Sequence, residues 1–422
     1  MILQRLAVAV LGLASACAQA RDLGLAEAEK LLAERGRELL AARRAVEAAG
    51  AQRITAAARP NPTLSLNSTS ISNKYNSGPG TPNVWRADTV LRIDQPFERG
   101  GKRELRMEAA ESLENAARGD SLDVLRTQLA QLRGAYFDLK QAEAKVSILG
   151  ENAQLFGRTL AAAQARLKAG DLAAADVARV QVDHERAQND ARASQADLSK
   201  ARLALAYMIG EDRSAADLHA SDPWPALERV GPAEVERAIE AYTDTRPDVA
   251  AARARLAAAE KLRDLAKSQQ TRDVTVGAQY ERYPGTIPAD SVGFGISVPL
   301  FLGNDFSGDI RRAEVDRYAA LDALDRARTV AANDIRRAAA DLSSAADRLE
   351  RYDSTLLAAA QRSAQAAEFA FQRGAISVLE VLDARRTLRA VQLEALAARA
   401  DYAKALAAWR ASQTTVEMLG SQ

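Results

Sequence analysis

The 422-residue sequence has one cysteine, Cys17, and two histidines, His184 and His219. Cys17 falls in the opening stretch MILQRLAVAVLGLASACAQARD, which has the layout of a secretory leader. Arg5 gives a positive start, Leu6 to Ala14 an apolar middle, and Ala18-Gln19-Ala20 an A-x-A cleavage site. Cleavage after Ala20 leaves an exported chain starting near Arg21, without a thiol and without any possible disulfide. The stretch ASAC also fits a lipid-attachment signal, in which Cys17 would become the lipidated first residue. Neither histidine has a ligand partner at the i+3 or i+4 spacing of a metal site, and His184 in QVDHERAQ reads as a solvated helix residue. There is no nucleophile–base pair and no phosphate-cradling glycine loop, so the sequence points away from an enzyme, a cofactor or a bound metal.

A dominant charge is also missing. Lys and Arg total 57 against 56 Asp and Glu, and no basic face is clustered, which excludes a nucleic-acid partner. Aromatic residues make up only 5%. After the leader no run of about 18 uncharged apolar residues occurs, so no helix is expected to cross a membrane. Strands remain possible, because about 9–11 alternating residues suffice for them. Proline is absent from Lys102 to about Ala169 and again from Gly308 to Arg373. These runs are rich in Ala, Leu, Arg and Glu, with small or apolar residues every three or four positions, the pattern of close-packed coiled-coil helices. A helix of about 65 residues is about 100 Å long, too long for a compact domain of this size.

What is present is present twice. RELLAARRAVEAAGAQR parallels RPDVAAARARLAAAEKL, NPTLSLNSTS parallels RDVTVGAQYE, and LRIDQPFERGG parallels GISVPLFLGN. Further on, LRGAYFDLKQA parallels IRRAAADLSSA, and ARLKAGDLAAADVARVQ parallels AFQRGAISVLEVLDARR. The expected organisation is a leader at 1–20, a first repeat at 21–209, a linker at 210–232 and a second repeat at 233–419. Each repeat reads as helix, strand, loop, strand, very long helix, glycine turn, long helix. Strands are expected at about 63–70, 84–95, 273–282 and 291–299, and helical hairpins at about 104–208 and 307–418.

The strands alternate with period two. Leu64 and Leu66 oppose Ser65, Asn67 and Thr69; Trp85, Ala87, Thr89, Leu91 and Ile93 oppose Arg86, Asp88, Arg92 and Asp94. Val274, Val276, Ala278 and Tyr280 oppose Thr275, Gly277, Gln279 and Glu281, and Val292, Phe294, Ile296 and Val298 oppose glycines and Ser297. Such strands suit a soluble sheet edge or a membrane barrel; four of membrane-spanning length in an exported chain favour the barrel. NKYNSGPGTPN (73–83) and RYPGTIPAD (282–290) read as exposed hairpin ends. Pro96 and Pro299 are expected to end the ladders because they lack an N–H, and Gly100, Gly101 and Gly303 to permit the bend into helix. Four strands cannot close a barrel, and open edges in lipid would leave backbone groups unsatisfied, so closure between subunits is required.

This layout resembles the TolC-like outer-membrane efflux family over nearly the whole exported chain, about Leu23 to Gln413. The segment GAISVLEVLDARRTL is similar to the family pattern G-x-x-x-x-x-[DE]-V-L-D, GDLAAADVARVQ to its companion, and NPTLSL, TRPDV and QPFERGGKR are family-like. The resemblance implies a mostly α fold with a membrane β-barrel. Its form would be a homotrimer with a twelve-stranded barrel in outer-membrane lipid above a twelve-helix periplasmic tunnel. It implies an exit duct passing substrate from periplasm to exterior, docked through a periplasmic adaptor protein to an inner-membrane transporter of the RND type. Docking would fall to Gly170, Leu172, Gly374 and Ile376 at the hairpin tips, and aperture control to Asp176, Glu380 and Asp383. Some relatives have an Arg two residues after the second tip glycine; here Ile376 stands there, and an Arg179–acid contact between hairpins is the expected substitute. The competing reading makes Glu380 and Asp383 surface acids paired with Arg385 or Arg386. QPFERGGKR is similar to a stretch in ducts of cobalt–zinc–cadmium type systems, which implies heavy-metal cations as substrate. Small organics, a type I secretion duct, or a secreted coiled-coil structural protein are the alternatives.

Overall fold

The computed structural model describes residues 21–72, 86–283 and 289–420. The leader with Cys17, Trp85, the loop at 73–83 and most of the loop at 282–290 lie outside the described residues; Arg282, Tyr283, Ala289 and Asp290 belong to strands. In chain order the elements are β1 (Arg21–Leu23), α1 (Leu25–Arg35), α2 (Arg37–Ala57), β2 (Thr63–Ser72), β3 (Arg86–Phe97), α3 (Lys102–Ala169) and α4 (Ala174–Ile209). After these come β4 (Leu218–Ala220), α5 (Pro232–Tyr242), α6 (Pro247–Ser268), β5 (Val274–Tyr283), β6 (Ala289–Ser297) and α7 (Ser307–Arg351). A π-turn (Tyr352–Leu356), α8 (Leu357–Gln372), α9 (Val378–Ser412) and α10 (Val416–Gly420) complete the chain. The order helix, strand, strand, long helix, helix thus occurs twice. None of the described helices is long and apolar enough to cross a membrane.

The residues group into two compact units, each drawing on both repeats. One comprises Arg44–Asp120 and Asp248–Ala327. Its centre is an antiparallel sheet in the order β2-β3-β5-β6. The register aligns like with like. Leu64, Ile93, Ala278 and Phe294 form one cross-strand row, and Leu66, Leu91, Tyr280 and Val292 the next on the same face. Ser65, Arg92, Gln279 and Gly293, then Thr63, Asp94, Gly277 and Gly295, fill the opposite face. The apolar face is not covered: Phe294 is 85% exposed, and Leu64, Leu66, Val292 and Ile296 are all exposed. On the polar face Arg92 donates to both carboxylate oxygens of Asp94 (2.8 and 2.9 Å) and to Gln279 (3.2 Å). The outer strands β2 and β6 have no further partner among the described residues.

Two expectations about this sheet are corrected. Pro96 does not end the ladder; it lies inside β3 opposite Thr275, and Phe97 still pairs with Val274. Pairing of β3 with β2 stops at Asp94, so a missing N–H on that side forfeits no ladder bond. β6 ends at Ser297, which leaves Val298 outside the strand and Pro299 just beyond it.

The other unit holds residues up to Arg43, Ser121–Pro247, and Arg328 onward. β1 and β4, three residues each, form a parallel pair that seats Leu23, Leu218 and Ala220 in one core with Leu32, Leu132, Tyr136, Leu205 and Ile209. The Tyr136 hydroxyl lies 3.0 Å from the Leu23 carbonyl and accepts from the Asp222 N–H (3.0 Å), while Asp222 accepts from the Leu25 N–H (2.5 Å) at the start of α1. Burial pushes the Tyr136 phenol up to about 12. A second core gathers Ile335, Leu342 and Leu349 of α7 with Tyr402, Leu406 and Trp409 of α9.

Arg246, from TRPDV, is only 1% exposed and reaches the Ala331 carbonyl (3.3 Å) and Asp334 (3.3 Å). Arg246→Ala should lower unfolding free energy by about 3 kcal/mol, through a void and the loss of the charge-assisted bond to Asp334. Thermal unfolding of the detergent-solubilised protein measures this, and a change below about 1 kcal/mol would contradict it.

The second long helical run is not α-helical throughout. The π-turn at Tyr352–Leu356 separates α7 from α8, whereas α3 runs 68 residues without a break. A π-turn adds one residue to a helical turn and needs neither proline nor glycine. Its residues reach α9 through Tyr352 to Glu394 (3.2 Å) and Arg399 to Asp353 (2.7 Å).

Candidate functional site

Two sets of residues were singled out by the sequence: the strand-to-helix junctions and the hairpin tips. At the first junction Gly100 and Gly101 both have positive φ, +73° and +70°. The charged residues of QPFERGGKR are bound locally. Lys102, 4% exposed, donates to the Thr271 carbonyl (2.9 Å) and Asp273 (2.8 Å), and Asp273 also accepts the Arg99 N–H (2.9 Å). Arg103 donates to the Ala57 carbonyl (2.8 Å). Glu98 is held by both terminal nitrogens of Arg106, and those hydrogen bonds draw its carboxyl below the usual carboxylate range. This stretch therefore staples the start of α3 to the α6–β5 connection. Its charges serve the junction, and no metal-ligating cluster occurs among the described residues.

The second junction is built differently from the expectation. Gly303 does not have positive φ; Phe306 does, at +62°. Its N–H bonds to Asn304 Oδ1 (2.9 Å) and its ring packs edge-on against Phe301 at 4.9 Å between centroids. Asp305 then accepts the Ser307 N–H (3.0 Å) where α7 begins. The side-chain bond and the ring contact offset the left-handed strain that a glycine would have avoided.

At the tips, the two hairpins α3–α4 and α8–α9 turn in the same way. Gly170 and Gly374 have φ of +84° and +73°. Gly170 N–H bonds to Leu167 O and Asp171 N–H to Arg166 O; Gly374 N–H bonds to Phe371 O and Ala375 N–H to Ala370 O. This double closure is the Schellman arrangement, which requires a left-handed residue and so selects glycine. Leu172 and Ile376 sit half-buried at matching places. Behind the tips Phe156, Val177, Val180, Val378 and Leu382 join the two hairpins in a small core.

The aperture candidates divide. Glu380 and Asp383 are exposed on α9, and among the described residues neither has an ion-pair partner. Neither pairs with Arg385 or Arg386, because both arginines are engaged elsewhere. Arg385, 9% exposed, donates to Glu368 of α8 (2.7 Å) and Thr159 of α3 (2.5 Å). Arg386 donates to both oxygens of Asp183 on α4 (2.7 and 2.6 Å), a carboxylate only 7% exposed. One turn further on, Arg389 pairs with Asp190 (2.9 Å). Arg179 does not bridge the hairpins; it pairs with Asp176 on its own helix at 3.5 Å. Arg–acid contacts between the hairpins are made instead by Arg386 and Arg389, and Arg385 adds a bond to the Thr159 hydroxyl. Sequence reasoning missed these because Asp183 and Arg386 lie 203 residues apart and each resembles any other charge on a solvated helix.

His184 is half-buried beside Gly157 and pairs with Gln188 (2.9 Å); His219 lies 3.0 Å from Glu143.

Comparison with known proteins adds a family match, two relatives and a solved structure. A family model described as "Outer membrane efflux protein" matches residues 29–211 and 238–412. The chain is similar to the cobalt-zinc-cadmium resistance protein CzcC of Cupriavidus metallidurans, at 28% identity over 71% of each chain. It is also similar to the nickel and cobalt resistance protein CnrC of the same organism, at 30% identity over 68% of this chain and 65% of that one. Among solved structures it superimposes on CusC, described by its conformational changes on folding and transmembrane channel formation, with a TM-score of 0.74. That match covers 93% of this chain and 92% of CusC at 19% identity, a likeness of fold.

Proposed function

The chain belongs to the outer membrane efflux protein family, and from that premise we propose that three copies assemble into the exit duct of a tripartite pump for heavy-metal cations. As a family member it is an outer-membrane efflux conduit and not an enzyme. One observation supports the trimer: a four-stranded sheet whose apolar face is uncovered and whose outer strands each have, among the described residues, one open edge. Lipid suits the apolar face, and pairing β6 of one copy with β2 of the next satisfies the edges. Three copies give about twelve strands, enough for a lumen, whereas two give about eight, filled by side chains. Exposed tips at Gly170–Leu172 and Gly374–Ile376 suit docking of a periplasmic adaptor, which would connect the duct to an RND-type inner-membrane transporter. The metal assignment rests on CzcC and CnrC, whose names carry cobalt, zinc, cadmium and nickel.

Glu380 and Asp383, three apart and free of local partners, lie on one face of α9. Repeated threefold they form a ring that attracts cations. Replacing both with Ala should lower the cation-to-anion permeability ratio of single channels in planar bilayers about threefold or more; an unchanged ratio removes them from the aperture. The function itself is tested by deletion in the native host. Loss of the gene should sensitise growth to cobalt, zinc, cadmium or nickel, with restoration by the full-length gene. Unchanged metal tolerance together with new sensitivity to organic compounds would overturn the metal assignment.

A further inference from the structure

Two cavities of about 350 and 270 Å³ lie side by side between α3 and the α8–α9 hairpin, sharing Leu155, Arg158 and Arg385 in their walls. Their polar lining is biased towards donors. Asn152, 9% exposed, has no partner for its Nδ2 amide, and the Nε groups of Arg385 and Arg389 have none either. Arg158 is exposed and, among the described residues, forms no hydrogen bond or ion pair. Of the lining carboxylates, Glu368 is paired with Arg385, and Glu151, exposed at the rim, accepts one hydroxyl bond from Ser147 (3.0 Å).

Buried donors in native proteins are nearly always partnered, so three in one groove call for an acceptor. A ligand that accepts without donating, and carries negative charge to meet a free guanidinium, is an oxyanion. We infer that this groove is a binding site for a small oxyanion, a carboxylate or a phosphate, held by Arg158 and Asn152 with the Nε groups of Arg385 and Arg389. Arg385 and Arg389 keep their structural partners through their terminal nitrogens, which fixes their guanidinium planes and leaves the Nε edges for the ligand. The groove is formed within one chain, so the inference does not depend on trimer formation or on the metal substrate.

The test is isothermal titration of the full detergent-solubilised protein with sodium succinate and, separately, sodium phosphate, with sodium chloride at matched ionic strength as the blank. Saturable binding of either anion is expected; succinate alone assigns a carboxylate site, and phosphate alone a phosphate site. Arg158→Gln changes an exposed side chain and should weaken binding about tenfold without affecting folding, while Arg158→Lys should lose less. Asn152→Leu fills the same space without the amide and should weaken binding as well. No saturable heat with either anion, or binding that Arg158→Gln and Asn152→Leu both leave unchanged, overturns the site.

Discussion

Arg386→Ala should enlarge the conductance of single channels several-fold while leaving the protein in the outer membrane. The guanidinium makes two short bonds to Asp183, whose carboxylate is only 7% exposed and would be left with its charge uncompensated. Arg386 itself is half exposed, so the full effect of breaking a buried pair is reduced by solvent, to about 2 kcal/mol. That still shifts an equilibrium between attached and detached hairpins about thirtyfold. Arg389 pairs with Asp190 of α4 one turn farther from the tip, so detachment does not unravel the bundle. Asp183→Ala should give a similar increase. The double variant should be no more open than either single one, because a pair can be broken only once. Additive effects, or wild-type conductance in both single variants, would show that this bridge does not hold the aperture.

Gly100→Ala should deplete the assembled protein severely, and Gly101→Ala should not. The two glycines have nearly equal φ, so each substitution carries the left-handed penalty of about 1–2 kcal/mol. They differ in surroundings. A Cβ on Gly100 would lie 2.8 Å from Thr271 Cβ, while one on Gly101 meets nothing within 4 Å. Thr271 cannot yield easily, because its carbonyl accepts the buried Lys102 ammonium. The clash and strain together are worth about 3 kcal/mol, a large share of a typical domain's stability. Heat-stable oligomer in outer-membrane fractions, followed by gel mobility, reads the difference between the variants. Equal loss in both would mean that backbone strain alone decides, and that the approach of the two connections is not what glycine serves.

The parts of the fold set by short-range chemistry were legible in the residues. Alternation at Leu64–Leu66 and Val292–Ile296 marked strands because period two is a local property, and the register then aligned these residues in apolar rows. Gly170 and Gly374 marked the tips because only glycine takes the left-handed conformation without penalty. What escaped was non-local or lacked a residue signature. The β1–β4 pair is three residues per strand, too short for alternation to register. The π-turn contains no breaker, and Tyr352-Asp353-Ser354-Thr355-Leu356 reads as ordinary helix. Pro96 was misplaced because proline's effect depends on which neighbour its nitrogen faces, and that neighbour was not visible along the chain. The acids at Glu380 and Asp383 were found through family resemblance, whereas the partners of Arg385 and Arg386 needed the packing of α9 on α3, α4 and α8.

In the proposed assembly the open sheet of one chain is completed by copies of itself. The mass of the detergent-extracted protein, by size-exclusion chromatography with light scattering corrected for bound detergent, tests it most directly. Three chains per particle are expected, recovered from the outer-membrane fraction, because four strands leave two open edges and three copies close a barrel with a lumen. A monomer or dimer recovered without detergent would contradict it, since the exposed row from Leu64 to Phe294 would then face water rather than lipid.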